Sequence, residues 1–116
     1  MSLELKDRTK RFALRIMKLV DALPKTLVGR TIGQQLIRSG TSVGANYRSA
    51  CRGRSKAEFN SKIGIVLEEA DESAFWLELI IEGNLMKKDA VIELLNEAIE
   101  LTAIFTSCAK TGRSNS

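Results

Sequence analysis

RTIGQQLIRSGTSVGANYRSACR, residues 30–52, is the stretch on which the fold turns. Its centre, SGTSVGAN at 39–46, is poor helix material, because a glycine inside a helix costs about 1 kcal/mol against alanine. Read as a loop, it would divide the second quarter of the chain into two short pieces. Apolar and small residues nevertheless continue in phase across it: Ile32, Leu36, Gly40, Val43, Tyr47, Ala50 and Cys51 fall on one face at helical spacing. That periodicity predicts one helix over about 30–53, with small residues that let a neighbouring helix come close. The fragment GTSVG lacks the glycine spacing and the Lys-Ser/Thr pair of a phosphate loop. Arg38 and Asn46 flank it, which sets it apart from a membrane GxxxG.

Working outward, a first helix is expected over about 4–23. Leu5, Phe12, Ala13, Ile16, Leu19, Val20 and Leu23 share a face, and Pro24 ends it. On the other side, Ser55-Lys56-Ala57-Glu58 has the form of a capping box. It opens a third helix over about 55–83, closed by Gly83-Asn84. A fourth is expected over about 86–110, and residues 112–116 read as a frayed tail. Four long helices with short connections across residues 1–111 predict an all-α, antiparallel, up-down-up-down four-helix bundle.

The composition narrows the function. A chain of 116 residues is one domain by size, and 44% hydrophobic residues support a real core. There is no histidine, which removes Ser–His and Cys–His dyads and the commonest metal ligand. Cys51 and Cys108 form no CxxC, so no metal site and no cofactor is expected. They read as half-buried thiols of a reducing compartment. No apolar run is long enough to span a membrane, and the first residues lack a secretory apolar stretch. These features together predict a cytoplasmic protein that is not an enzyme.

Charge is strongly polarised along the chain. Residues 1–62 carry fourteen Lys/Arg against four Asp/Glu, whereas residues 63–116 carry four against ten. Arg8, Arg11, Arg15 and Lys18 form a stripe on the first helix. Arg38, Arg48 and Arg52 lie on the second helix away from its apolar face, and Arg54 continues the charge into the following turn. These eight are the candidate nucleic-acid contacts, with RNA or DNA as partner and the phosphate backbone as the group bound. A chain with one Trp and one Tyr offers no base-stacking platform. The alternative is that the same charges serve subunit or partner contacts, in a protein-interaction scaffold without nucleic acid. Glu68, Glu69, Asp71 and Glu72 read as ion-pair partners for arginines rather than as a catalytic or metal cluster.

Apolar residues exceed what one core needs. Ile65, Phe75, Trp76 and Leu79 lie opposite the main stripe of the third helix; Leu14 and Met17 lie off the stripe of the first, and Ile92 and Ile99 off that of the fourth. A helix apolar on two sides is covered on two sides, which predicts a homo-oligomer with these eight at its interface. The alternative is a wide core that absorbs them through the helix crossing angles. Ser42, Asn46 and Glu72 are the candidate structural polar residues, with Glu72 on the adjacent helix as the expected partner of the Asn46 amide.

Nearly the whole chain resembles the four-helix bundle proteins encoded in intervening sequences of 23S ribosomal RNA genes. The accessory variability proteins of diversity-generating retroelements are similar. QLIRSGTSVGANYRSA and EEADESAFWLEL carry the likeness, and Arg38, Ser42, Asn46 and Glu72 match the family pattern. After Tyr47 the sequence reads Arg48-Ser49-Ala50, where the family often has Ala-Glu-Gly. The resemblance implies a ring-like homopentamer with no known enzymatic activity. In the retroelement branch it also implies association of the basic surface with nucleic acid and with a reverse transcriptase.

Overall fold

The computed structural model describes residues 2–114, with side chains from Glu4 to Gly112. Four helices follow one another: α1 (Ser2–Asp21), α2 (Leu27–Cys51), α3 (Lys56–Glu82) and α4 (Lys88–Ser114). They form an all-α four-helix bundle measuring 45 × 22 × 19 Å. The 25–27 residues of α2 to α4 set the long dimension, at a rise of about 1.5 Å per residue. Packing runs in chain order, α1 on α2, α2 on α3 and α3 on α4, whereas α1 and α4 touch only sparsely.

Residues 39–46 are helical throughout, so α2 is continuous. It begins three residues earlier than its apolar periodicity indicates, because Thr26 caps it, its hydroxyl accepting from the Gly29 N–H at 3.1 Å. Ser55 caps α3 as expected, accepting from the Glu58 N–H at 3.1 Å. The Glu58 carboxylate, however, returns to the Arg54 N–H at 3.1 Å, one residue short of the usual capping-box partner. At the far end of α3 the left-handed residue is Asn84 (φ 57), not Gly83. Leu85 N–H reaches the Ile80 carbonyl and Asn84 N–H the Ile81 carbonyl, a Schellman closure. The expected frayed tail is helical through Ser114, and the Asn60 amide donates to the Gly112 carbonyl at 3.3 Å. Residues 115–116 lie outside the described residues.

Phe12 and Ile16 on α1 and Leu36, Val43 and Tyr47 on α2 are buried as their stripes predict, with Ile63, Val66 and Leu77 of α3 and Leu101 and Phe105 of α4, whereas Leu5, Val20, Ile32 and Cys51 of the same stripes are only partly buried. Tyr47 tilts against Phe105 with ring centroids 5.4 Å apart. Burial and hydrogen bonding with Cys51 push its phenol above the ordinary range. The polar side chains Thr9, Ser39 and Ser73 are also buried, and each has a partner. Thr9 donates to the Leu5 carbonyl at 2.8 Å, and the Ser73 hydroxyl lies 2.8 Å from the Glu69 carbonyl and 3.0 Å from the Ser39 hydroxyl. Cys51 and Cys108 are free. They sit on α2 and α4, which bring no Cα pair within 8 Å, beyond the reach of a disulfide.

Glycines set the α1–α2 distance. A Cβ on Gly40 would lie 2.8 Å from both Cγ atoms of buried Ile16. Gly64, in contrast, has nothing within 4 Å of such a Cβ. The same substitution should therefore act with opposite sign. Gly40→Ala should destabilise by about 1–3 kcal/mol through overpacking, and Gly64→Ala should stabilise by about 0.5–1 kcal/mol through helix propensity. Urea unfolding of the two variants checks this.

Candidate functional site

Two of the eight candidate contacts are engaged within the chain. Arg8 on α1 reaches across to α4, its Nε and Nη2 donating to the two carboxylate oxygens of Glu97 at 2.8 Å each, with Glu100 at 3.3 Å. This bidentate pairing raises the guanidinium pKa, with hydrogen bonding to Glu97 the largest cause. Arg38 on α2 similarly meets α3. It donates to both oxygens of Glu69, at 3.1 and 3.3 Å, and to Glu72. The acidic run of α3 thus supplies ion pairs, and among the described residues no group of His, Cys, Asp or Glu is placed to hold a metal.

The polar residues matched in α2 and α3 form a connected seam. The Ser42 hydroxyl donates to the Arg38 carbonyl at 2.6 Å and the Asn46 amide to the Ser42 carbonyl at 2.9 Å. Glu72 accepts from Arg38 and from the Trp76 indole N–H at 3.1 Å. Its carboxyl lies below the usual range, chiefly through the Trp76 hydrogen bond and then through Arg38. The expected Asn46–Glu72 pair does not form. The register explains why: Ser39 faces Ser73, so in antiparallel helices Asn46 stands about two turns from the level of Glu72.

The other candidate contacts divide between two sides of α1. Arg11 and Arg15 are exposed and share with Arg8, Phe12 and Glu97 an open cleft at the α1–α4 seam. Arg48 and Arg52 face the opposite side, where α1 and α2 enclose a cleft of about 430 Å3. Lys6 and Lys10 of α1 line it with them, and Gly44, Ala45 and Ala13 leave its floor open. Those lysines lie off the arginine stripe of α1, so the periodicity of that stripe does not pick them out. Gly44 was the available signal, since a glycine turned toward α1 removes the side chains that would fill the space. Lys18 is exposed in the last turn of α1. Arg54 is exposed in the α2–α3 turn, and its N–H is the one that Glu58 binds.

The surplus apolar residues also divide. Leu14, Met17, Ile65, Phe75 and Ile99 are exposed, Leu14 at 56% and Phe75 at 50%. Trp76 and Ile92 instead pack against the edge of the core, and Leu79 is half-buried. Phe75 rests edge-on against Trp76 with centroids 5.1 Å apart. Leu27, Val28 and Ile37 add exposed apolar surface on α2. The first two lie ahead of the start that apolar periodicity gives α2, in the turn that Thr26 caps.

The sequence matches the family described as 23S rRNA-intervening sequence protein over residues 1–107. The chain belongs to that family. It is also similar to a crystal structure of a protein with unknown function from the S23 ribosomal protein family of Bacteroides thetaiotaomicron. The two share 34% identity over 94% of this chain and 97% of that one, with a TM-score of 0.85. No curated protein matches. This member of the 23S rRNA-intervening sequence family has no helix among the described residues long and apolar enough to cross a membrane.

The seam predicts an acid dependence. A carboxyl whose pKa is lowered by folding adds stability that is complete above the unfolded value, about 4.3, and is lost as pH falls through the folded value. Urea unfolding between pH 7 and 3, followed by Trp76 fluorescence, should show wild type losing stability below about pH 4.3 more steeply than Glu72→Gln. Equal acid limbs would remove Glu72 from the account.

Proposed function

We propose that this protein is a non-enzymatic helical bundle that self-associates and binds nucleic acid by its phosphate backbone through the α1–α2 cleft. The supporting observation is the distribution of charge once internal pairs are discounted. Arg8 and Arg38 already have carboxylate partners. Lys6, Lys10, Arg48 and Arg52 converge on one cleft whose lining holds a single acid, Asp7. A concave surface with four cations and small residues at its base suits an extended anionic backbone. No aromatic side chain lines it, so binding is led by charge and not by base stacking. The oligomer gains support from Phe75 and Leu14, whose exposure leaves apolar surface on α3 and α1 to be covered by further copies. A homopentamer and, for a retroelement-linked member, a reverse-transcriptase partner belong to this reading through the family likeness alone.

A second reading, a protein-interaction scaffold without nucleic acid, is favoured by Arg8 and Arg38, whose charges serve packing. Binding of labelled single strands at varied salt separates the two. Four backbone contacts give a slope of log K against log salt of about −2.8, and Arg48→Ala with Arg52→Ala makes it shallower by about 1.4. Absence of binding at about 50 mM salt, where such contacts are strong, would favour the scaffold. For the oligomer, mass measurement in solution should give a multiple of the 12.8 kDa chain for wild type and a smaller species for Phe75→Glu. A wild-type monomer would remove self-association.

A further inference from the structure

We infer that the α1–α2 cleft distinguishes RNA from DNA, with Asp7 accepting a hydrogen bond from a ribose 2′-hydroxyl while the four surrounding cations hold the adjacent phosphate. The inference rests on the nucleic-acid reading above and adds the sugar to it. Lys6, Lys10, Arg48 and Arg52 can only donate hydrogen bonds, so they serve phosphate oxygens and offer a hydroxyl proton nothing. Thr41 donates its hydroxyl proton to the Ile37 carbonyl of its own helix at 2.6 Å, and its oxygen is left as a neutral acceptor, weaker than a carboxylate.

Asp7 is the charged acceptor. It is exposed, it lines the cleft, and it is the one anionic acceptor there. Lys10 and Arg11 stand three and four residues on, at the spacing of helical ion pairs. Even so, the ion pairs among the described residues involve only Arg8 and Arg38, and none of the described cations lies within bonding distance of Asp7. A carboxylate in a site for phosphate alone works against binding by like-charge repulsion. A carboxylate facing a 2′-hydroxyl gains a charge-assisted hydrogen bond, and the 2′-hydroxyl is the group by which a protein tells RNA from DNA. The floor of Gly44, Ala45 and Ala13 leaves about 430 Å3 beside it for the sugar. Discrimination would then be by sugar and indifferent to base.

The test compares single-stranded RNA, DNA and 2′-O-methyl RNA of one sequence by fluorescence anisotropy at low salt, with wild type and Asp7→Ala. Wild type should bind RNA about tenfold more tightly than DNA, the size of one hydrogen bond to a charged group. It should treat 2′-O-methyl RNA like DNA, a comparison that needs no protein variant. Asp7→Ala should bind DNA more tightly than wild type does, while its preference for RNA disappears. Equal affinity for RNA and DNA in wild type, with Asp7→Ala strengthening both alike, would overturn the inference and leave the nucleic-acid reading standing. Failure of all three strands to bind would overturn that reading, and the inference with it.

Discussion

The bundle depends on how near α1 and α2 come to each other. Gly33, Gly40 and Gly44 all turn toward α1. A Cβ on them would lie 3.3 Å from Val20 and Leu23, 2.8 Å from Ile16, and 3.3 Å from the Thr9 carbonyl. Each glycine weakens α2 as an isolated helix by about 1 kcal/mol, a loss offset only by dense packing against its partner. The α1–α4 seam is sparse by comparison, and Arg8 bridges it. The same close approach puts small residues beneath the basic cleft.

The opposed charges of the two halves acquire a spatial meaning in this arrangement. Basic α1 borders acidic α4, and basic α2 borders acidic α3. At each of these junctions an arginine finds carboxylates: Arg8 with Glu97 and Glu100, Arg38 with Glu69 and Glu72. The α1–α2 junction joins two basic helices, and in its basic cleft the one counter-charge is Asp7. Positive potential concentrates there because the chain order places like beside like, and packing at the glycines must hold the pair against that repulsion.

Helix positions and the core were legible because both rest on periodicity, which a single sequence displays directly. The continuity of α2 through SGTSVGAN could be read because Leu36, Gly40, Val43 and Tyr47 keep phase across it. What a sequence does not display is the rotation and register of one helix against the next. Arg8 and Arg11 look equivalent on a helical wheel, yet Arg8 meets Glu97 and Arg11 stays exposed. Asn46 and Glu72 both point between α2 and α3, but at different heights along the seam. Lys6 and Lys10 gain their significance only beside Arg48 and Arg52, forty residues on. Ends set by one capping side chain, such as Thr26 and Asn84, were also hard to place, because each depends on a local hydrogen bond and not on a repeat.

The sparse α1–α4 seam also bears on how the chain folds. Its principal tie, Arg8 to Glu97, spans 89 residues, whereas the three strong interfaces each join helices adjacent in sequence. Most native contacts are therefore closed across short loops, so relative contact order is low for an architecture of this size, and low contact order goes with fast folding. Each helical hairpin can form as soon as its second helix exists, and the next helix adds to a finished surface. The meeting of α1 with α4 is the one closure that is not local, and it can follow the other three.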